Sequence, residues 1–296
     1  MRAPSFRCMK KKSGSPASNL IDSSPQDLAA PLAETIKVGI GGWVFSPWRD
    51  NFYPTGLVQR RELEYASRHV TAIEINGTYY GTQKPATYAK WRDETPEGFL
   101  FSAKAPKRIM QSRALATTGP QIEDFIGGIS ELGEKLGPLI WQFDKHTNIE
   151  FAQFQLFLDL LPKTWSGRPL RHVVDVRDPG FIGPDYLALA RRHGMETVFT
   201  DSQEHPSFAD ITADFVYARL MRSQADIDTG YAPTELARWA RHASLWASGG
   251  DPADLPHVDA TTVAHQPRDV FLYFIGSAKE RNPAAAMELL RQLQAV

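Results

Sequence analysis

The chain carries a single cysteine, Cys8, in 296 residues. A disulfide within the chain and a multi-thiolate zinc site are therefore excluded, and a reducing, cytoplasmic compartment fits. No apolar run approaches the ~20 residues needed to span a bilayer, so no membrane partner is expected. An excess of one charge is also missing: 33 Lys and Arg face 34 Asp and Glu. No overall field recruits nucleic acid, although a local basic cleft is allowed. Metal-binding spacings such as His-x-His or His-Glu-x-x-His do not occur. His69, His172 and His193 precede or begin strand-like runs, and only His146 and His205 fall in loops that follow such runs. No metal is expected. Gly39-Ile40-Gly41-Gly42 has Val44 where a dinucleotide fingerprint needs its third glycine, so it reads as a tight turn closing a strand. Ser46 and Ser102 lack the Gly-x-Ser-x-Gly context of a strained nucleophile turn.

What is present is a regular order. Residues 1–34 are rich in Ser, Pro and Ala, and Lys10-Lys11-Lys12 precede no apolar stretch. They read as a disordered tail rather than a secretory signal. From residue 35 to 296, eight strand-like runs follow one another: 37–41, 71–75, 99–104, 139–143, 172–177, 197–201, 215–220 and 270–274. Helical periodicity lies between most of them. Ile122, Phe125, Ile129 and Leu136 share one face, as do Phe151, Phe154, Leu158 and Leu161, and later Leu236, Trp239, Ala243 and Trp246. Pro184 and Asn282-Pro283 suit first helical turns. Alternating strand and helix implies parallel strands with right-handed crossovers. Eight units in one domain of this length predict an α/β fold, a (β/α)8 TIM-barrel-like domain, with an open doubly wound sheet as the alternative. The sixth unit shows no helix after Asp201, and the Gly/Pro/Asp-rich stretch 248–267 reads as an exposed excursion.

The second run, Thr71-Ala72-Ile73-Glu74-Ile75-Asn76, puts a carboxylate and an amide at alternate positions. In a parallel barrel both strand faces are buried. Ile73 and Ile75 would pack on helices, and Glu74 and Asn76 would point inward. A buried carboxylate needs partners. The other runs supply them at their carboxyl ends: Lys104 with Arg108 beyond it, Gln142 and Asp144, Asp175 and Arg177, Asp201, Arg219, and Tyr273. That is the end where barrel enzymes build active sites.

These motifs resemble the domain of unknown function 72 (YecE-like) family. The likeness rests on GIGGWVFSPWRDNFYP, AIEINGTYY, WRDETPEGFLFSAKAPKRI, LGEKLGPLIWQF, VVDVRDPGF, FVYARLMRS, LARWA and VFLYFIG…NPAAAMELL, in order over roughly residues 36–294. The resemblance implies a TIM-barrel-like fold and supplies no activity. Trp43, Glu74, Asn76, Thr78, Tyr79, Lys104, Pro106, Gln142, Arg177 and Arg219 occupy its motif positions. The chain departs from the pattern after Gln142, at Asp175-Val176-Arg177-Asp178 where glutamate-x-arginine-histidine is usual, and at Tyr273-Phe274-Ile275-Gly276.

Three readings follow. In the first, Lys104, Arg108, Arg177 and Arg219 bind an anionic, for instance phosphorylated, small molecule, and Glu74 or Asp175 acts as catalytic acid or base. Trp43 and Tyr79 would wall the pocket, with Asn76, Thr78, Gln142 and Tyr273 as further ligand contacts. Ser277 would stand in a loop before a helix start suited to phosphate. In the second, the cationic and aromatic face binds nucleic acid, as a nuclease would. In the third, the charges only neutralise one another. The sequence names no cofactor and fixes no oligomeric state.

Overall fold

Eight parallel strands close into a barrel in the computed structural model, which describes residues 1, 34–147, 149–259, 261 and 263–295. The expected tail, apart from Met1 and Glu34, lies outside the described residues. The strands are β1 (Ile36–Gly41), β2 (Ala72–Ile75), β3 (Leu100–Lys104), β4 (Leu136–Phe143), β5 (His172–Val176), β6 (Glu196–Asp201), β7 (Phe215–Leu220) and β8 (Asp269–Phe274). Each pairs with its neighbours in the chain, and β8 returns to β1. No strand of the barrel has an open edge, so every ladder is completed within the ring. A short antiparallel ribbon, Thr164–Trp165 with Arg168–Pro169, stands outside it.

The chief departure from the sequence reading is at Leu136. It opens β4 instead of ending a helical face. The preceding helix, Gly119–Ile129, gives way to a 3-10 segment, Ser130–Lys135. There Gly133 takes a φ of 61°, a left-handed conformation that glycine adopts without strain, and turns the chain into the strand. Leu161 likewise lies past the end of its helix, Phe151–Asp159. The helix Pro184–His193 has the expected bounds and closes on Gly194 at φ 66°.

Two cores result from the strand alternation. Ile73, Ile75 and Phe101 face the helices. Ile140, Val173, Val198, Phe215 and Phe271 fill the barrel interior. Gly39 belongs to β1 rather than to a turn. A Cβ there would come within 2.3 Å of the Ala72 carbonyl oxygen and 2.9 Å of the Tyr273 ring. The turn itself falls on Gly42, at φ 71°.

No helix separates β6 from β7. Ala209 and Asp210 of the connecting segment are held instead by residues 255–259 of the expected excursion, which are anchored there. Leu255 is buried, and Ala209 N–H donates to the Pro256 carbonyl at 2.7 Å. The Asp210 carboxylate accepts from the backbone N–H groups of Val258 and Asp259 at 2.7 and 2.9 Å. At the amino end of β6, the buried Glu196 carboxylate accepts from Thr212 and Ala213 N–H at 3.0 and 2.9 Å. Burial pushes its carboxyl up to about 8, with those hydrogen bonds pulling the other way.

Candidate functional site

Strand register sets the site. Gly41, Glu74 and Ser102 lie level on β1, β2 and β3, Gln142 is level with Asp175, and Arg219 is level with Tyr273. Inward alternation at the carboxyl ends therefore gathers acids and bases from opposite walls. Arg219 is the hub. Its Nε donates to Glu74 Oε2 at 2.9 Å and its Nη1 to Asp175 Oδ2 at 2.6 Å. Tyr217, one inward step below, donates its hydroxyl to the same Glu74 oxygen at 2.5 Å. Arg177 Nε reaches Asp175 Oδ2 at 3.3 Å, and Lys104 Nζ stands 4.0 Å from Glu74 Oε1.

Charge balance decides the protonation states. Burial raises the Glu74 carboxyl, but Arg219 and Lys104 more than offset it and hold the group below its ordinary range. Asp175 is held down in the same way, burial being outweighed by Arg177, Arg219 and Lys104. Both are carboxylates at neutral pH, which suits a base or a charge-holding role better than an acid's. Lys104 moves the opposite way. Burial, reinforced by Arg219, brings it down to about 8. Three buried polar atoms of the cluster lack a hydrogen-bond partner among the described residues: Arg219 Nη2, Glu74 Oε1 and Gln142 Oε1.

A second group adjoins the first. Tyr79 donates its hydroxyl to Asp144 Oδ2 at 2.5 Å, and Gln142 donates to Asp144 Oδ1 at 2.7 Å. Lys104 Nζ lies 5.5 Å from the Tyr79 ring centre. Thr78 donates to the Lys104 carbonyl at 2.7 Å and so ties the loop after β2 to the end of β3. Asn76 does not continue the strand. Its backbone is helical, and its side-chain amide bonds the Glu74 carbonyl at 3.3 Å, beside the space that Gly41 leaves open. Tyr273 shares a 2.6 Å hydrogen bond with Ser102 beneath the cluster.

Three candidates lie apart. Trp43 packs edge-on against Trp91 at 4.8 Å, on the helix side of β3. Arg108 is exposed, 3.6 Å from Asp124. Ser277 donates to the Met221 carbonyl, and Asn282, which opens the last helix, is held by Ser223 and Gly276. Asp144, expected with Gln142 among the polar groups at the strand carboxyl ends, is brought into the cluster. Tyr217 was not expected there. It lies two residues from Arg219 on the same strand face, and that spacing is the signal that could have found it. His172 is buried in β5, with Trp141 donating to its Nδ1 at 3.0 Å. Burial lowers its pKa to about 4. No group of three potential metal-ligating His, Cys, Asp or Glu side chains occurs among the described residues.

The family model for the "protein of unknown function DUF72" matches residues 37–296. The chain belongs to the DUF72 family. This DUF72 chain is 28% identical over 174 residues to the UPF0759 protein YecE of Escherichia coli K12, a match covering 57% of this chain and 60% of that protein. Against the UPF0759 protein YunF of Bacillus subtilis it is 33% identical over 70 residues, 24% of either chain. Among solved structures, a DUF72 family protein from Thermotoga maritima superposes with a TM-score of 0.66. That match has 17% identity and covers 88% of this chain and 100% of the other. At that identity the likeness shows the fold. No helix among the described residues is long and apolar enough to cross a membrane.

Proposed function

We propose that the barrel mouth binds an anionic small molecule, with a phosphate or carboxylate seated against Arg219, Arg177 and Lys104. The observation that carries this reading is Arg219 Nη2, a buried guanidinium nitrogen with no acceptor among the described residues. Such a group calls for one. Glu74 and Asp175 hold the guanidinium in place, and Glu74 is the candidate base. The free Gln142 and Glu74 oxygens suit a ligand that also carries hydroxyl or amino donors. Inorganic phosphate or glycerol phosphate at low salt should raise the melting temperature progressively with concentration, reflecting about 2.7 kcal/mol of added stability at a hundredfold excess over Kd. Arg177→Met should abolish the shift while the variant stays folded. No shift in the native chain would leave the charges as a structural network.

A second reading has one observation in its favour. Tyr80 is 78% exposed, with Lys107 Nζ 5.2 Å over its ring, a pairing suited to stacking a nucleobase beside a phosphate. Single-stranded DNA binding that weakens steeply with salt and is lost in Tyr80→Ala would support it.

A further inference from the structure

Lys104 is set differently from the two arginines beside it. Both arginines hydrogen-bond a carboxylate. Lys104 Nζ makes no hydrogen bond among the described residues, and its side chain is 14% exposed at the barrel mouth. Its nearest acid is Glu74 Oε1, at 4.0 Å, itself an oxygen with no hydrogen-bond partner. The charged groups acting on it come from three strands: Glu74 on β2, Asp175 and Arg177 at the end of β5, and Arg219 on β7.

We propose that Lys104 is an amine nucleophile that forms an imine with the carbonyl carbon of an anionic aldehyde or ketone. The inference rests on the anion-binding reading, because Arg177 and Arg219 would hold the substrate's charged group and present its carbonyl to Nζ. The bonds balance without a co-reactant. The ammonium passes one proton to Glu74 Oε1, and the free amine forms a C–N bond to the carbonyl carbon. The carbonyl oxygen then takes protons from the nitrogen and from Glu74 and leaves as water. Ammonium and carbonyl thus become a protonated imine and water, with Glu74 returned to its carboxylate form. An amine that loses its proton near pH 8, as burial and Arg219 make this one do, is reactive near neutrality.

The full chain is incubated with pyruvate, an anionic ketone, or with glycolaldehyde, a neutral aldehyde. Sodium cyanoborohydride is present to reduce any imine to a stable amine, and the products are mapped by peptide mass spectrometry. Lys104 should carry the pyruvate adduct about tenfold faster than the exposed Lys84 and Lys145, saturably, and phosphate should slow it. Lys104→Met, or Lys104→Arg if the first fails to fold, should leave only the slow surface labelling. Adducts spread over exposed lysines, with Lys104 unmodified by both probes, would overturn the proposal. If phosphate still raises the melting temperature in that case, the anion site stands and only the imine falls. Glycolaldehyde labelling of Lys104 without any phosphate shift would do the reverse.

Discussion

Glu74 shows how one residue's environment fixes its behaviour. Its carboxylate exists inside the barrel because Arg219, Tyr217 and Lys104 surround it. Glu74→Gln leaves Arg219 with one neutral partner and should destabilise the fold by about 3–5 kcal/mol in urea titrations. The wild-type contribution also has a pH window. Glu74 and Asp175 are held below their ordinary values of 4.5 and 3.8. Their stabilisation is therefore complete above those values and is lost as pH falls through the folded ones. The gap between wild type and Glu74→Gln should narrow in acid, and a gap that stays constant from pH 7 to pH 3 would refute this. Much of the residue was legible in the sequence, since period-two alternation put Glu74 inside. Which oxygen would be shared, and by whom, was not. Tyr217 carries no charge to announce itself, and its role depends on the register between strands far apart in the chain.

At the scale of elements, strands were easier to read than what joins them. β-branched runs bounded by turn residues mark a strand locally, whereas Leu136 is apolar and in phase with a helix that has already ended at Ile129. The missing sixth helix was legible, but its replacement was not. A carboxylate that accepts two backbone N–H groups 48 and 49 residues away leaves no local pattern. Asp210→Ala should release the excursion, seen as faster hydrogen exchange at Val258 and Asp259 with the barrel strands still protected. Glu196 pins the other end of the same connection and carries the opposite pH sign. Its folded value, about 8, lies above the ordinary 4.5. Its contribution is full below 4.5 and is lost as pH rises toward 8. Glu196→Gln should flatten the decline in stability across that range, measured as melting temperature against pH.

For the whole molecule, closure is the property that matters. Gly39 sits where β1 meets β2 and where the Tyr273 ring comes across from β8. Gly39→Ala must move backbone, not only a side chain, and should cost about 3 kcal/mol or more. The loss should appear as one lowered transition by calorimetry rather than as partial melting of β1. Barrel class was legible from the repeating order of strand and helix, because each unit must cover one stretch of the sheet. The Glu74–Arg219 contact joins residues 145 positions apart, and that separation bears on how the chain is made. At typical rates of synthesis of about 5–20 residues per second, the glutamate is joined to the chain roughly 7–29 s before its arginine. Until then the β2 carboxylate has only Lys104, 4.0 Å away and not hydrogen-bonded to it, as a counter-charge, and the guanidinium that binds it in the closed ring is still to come.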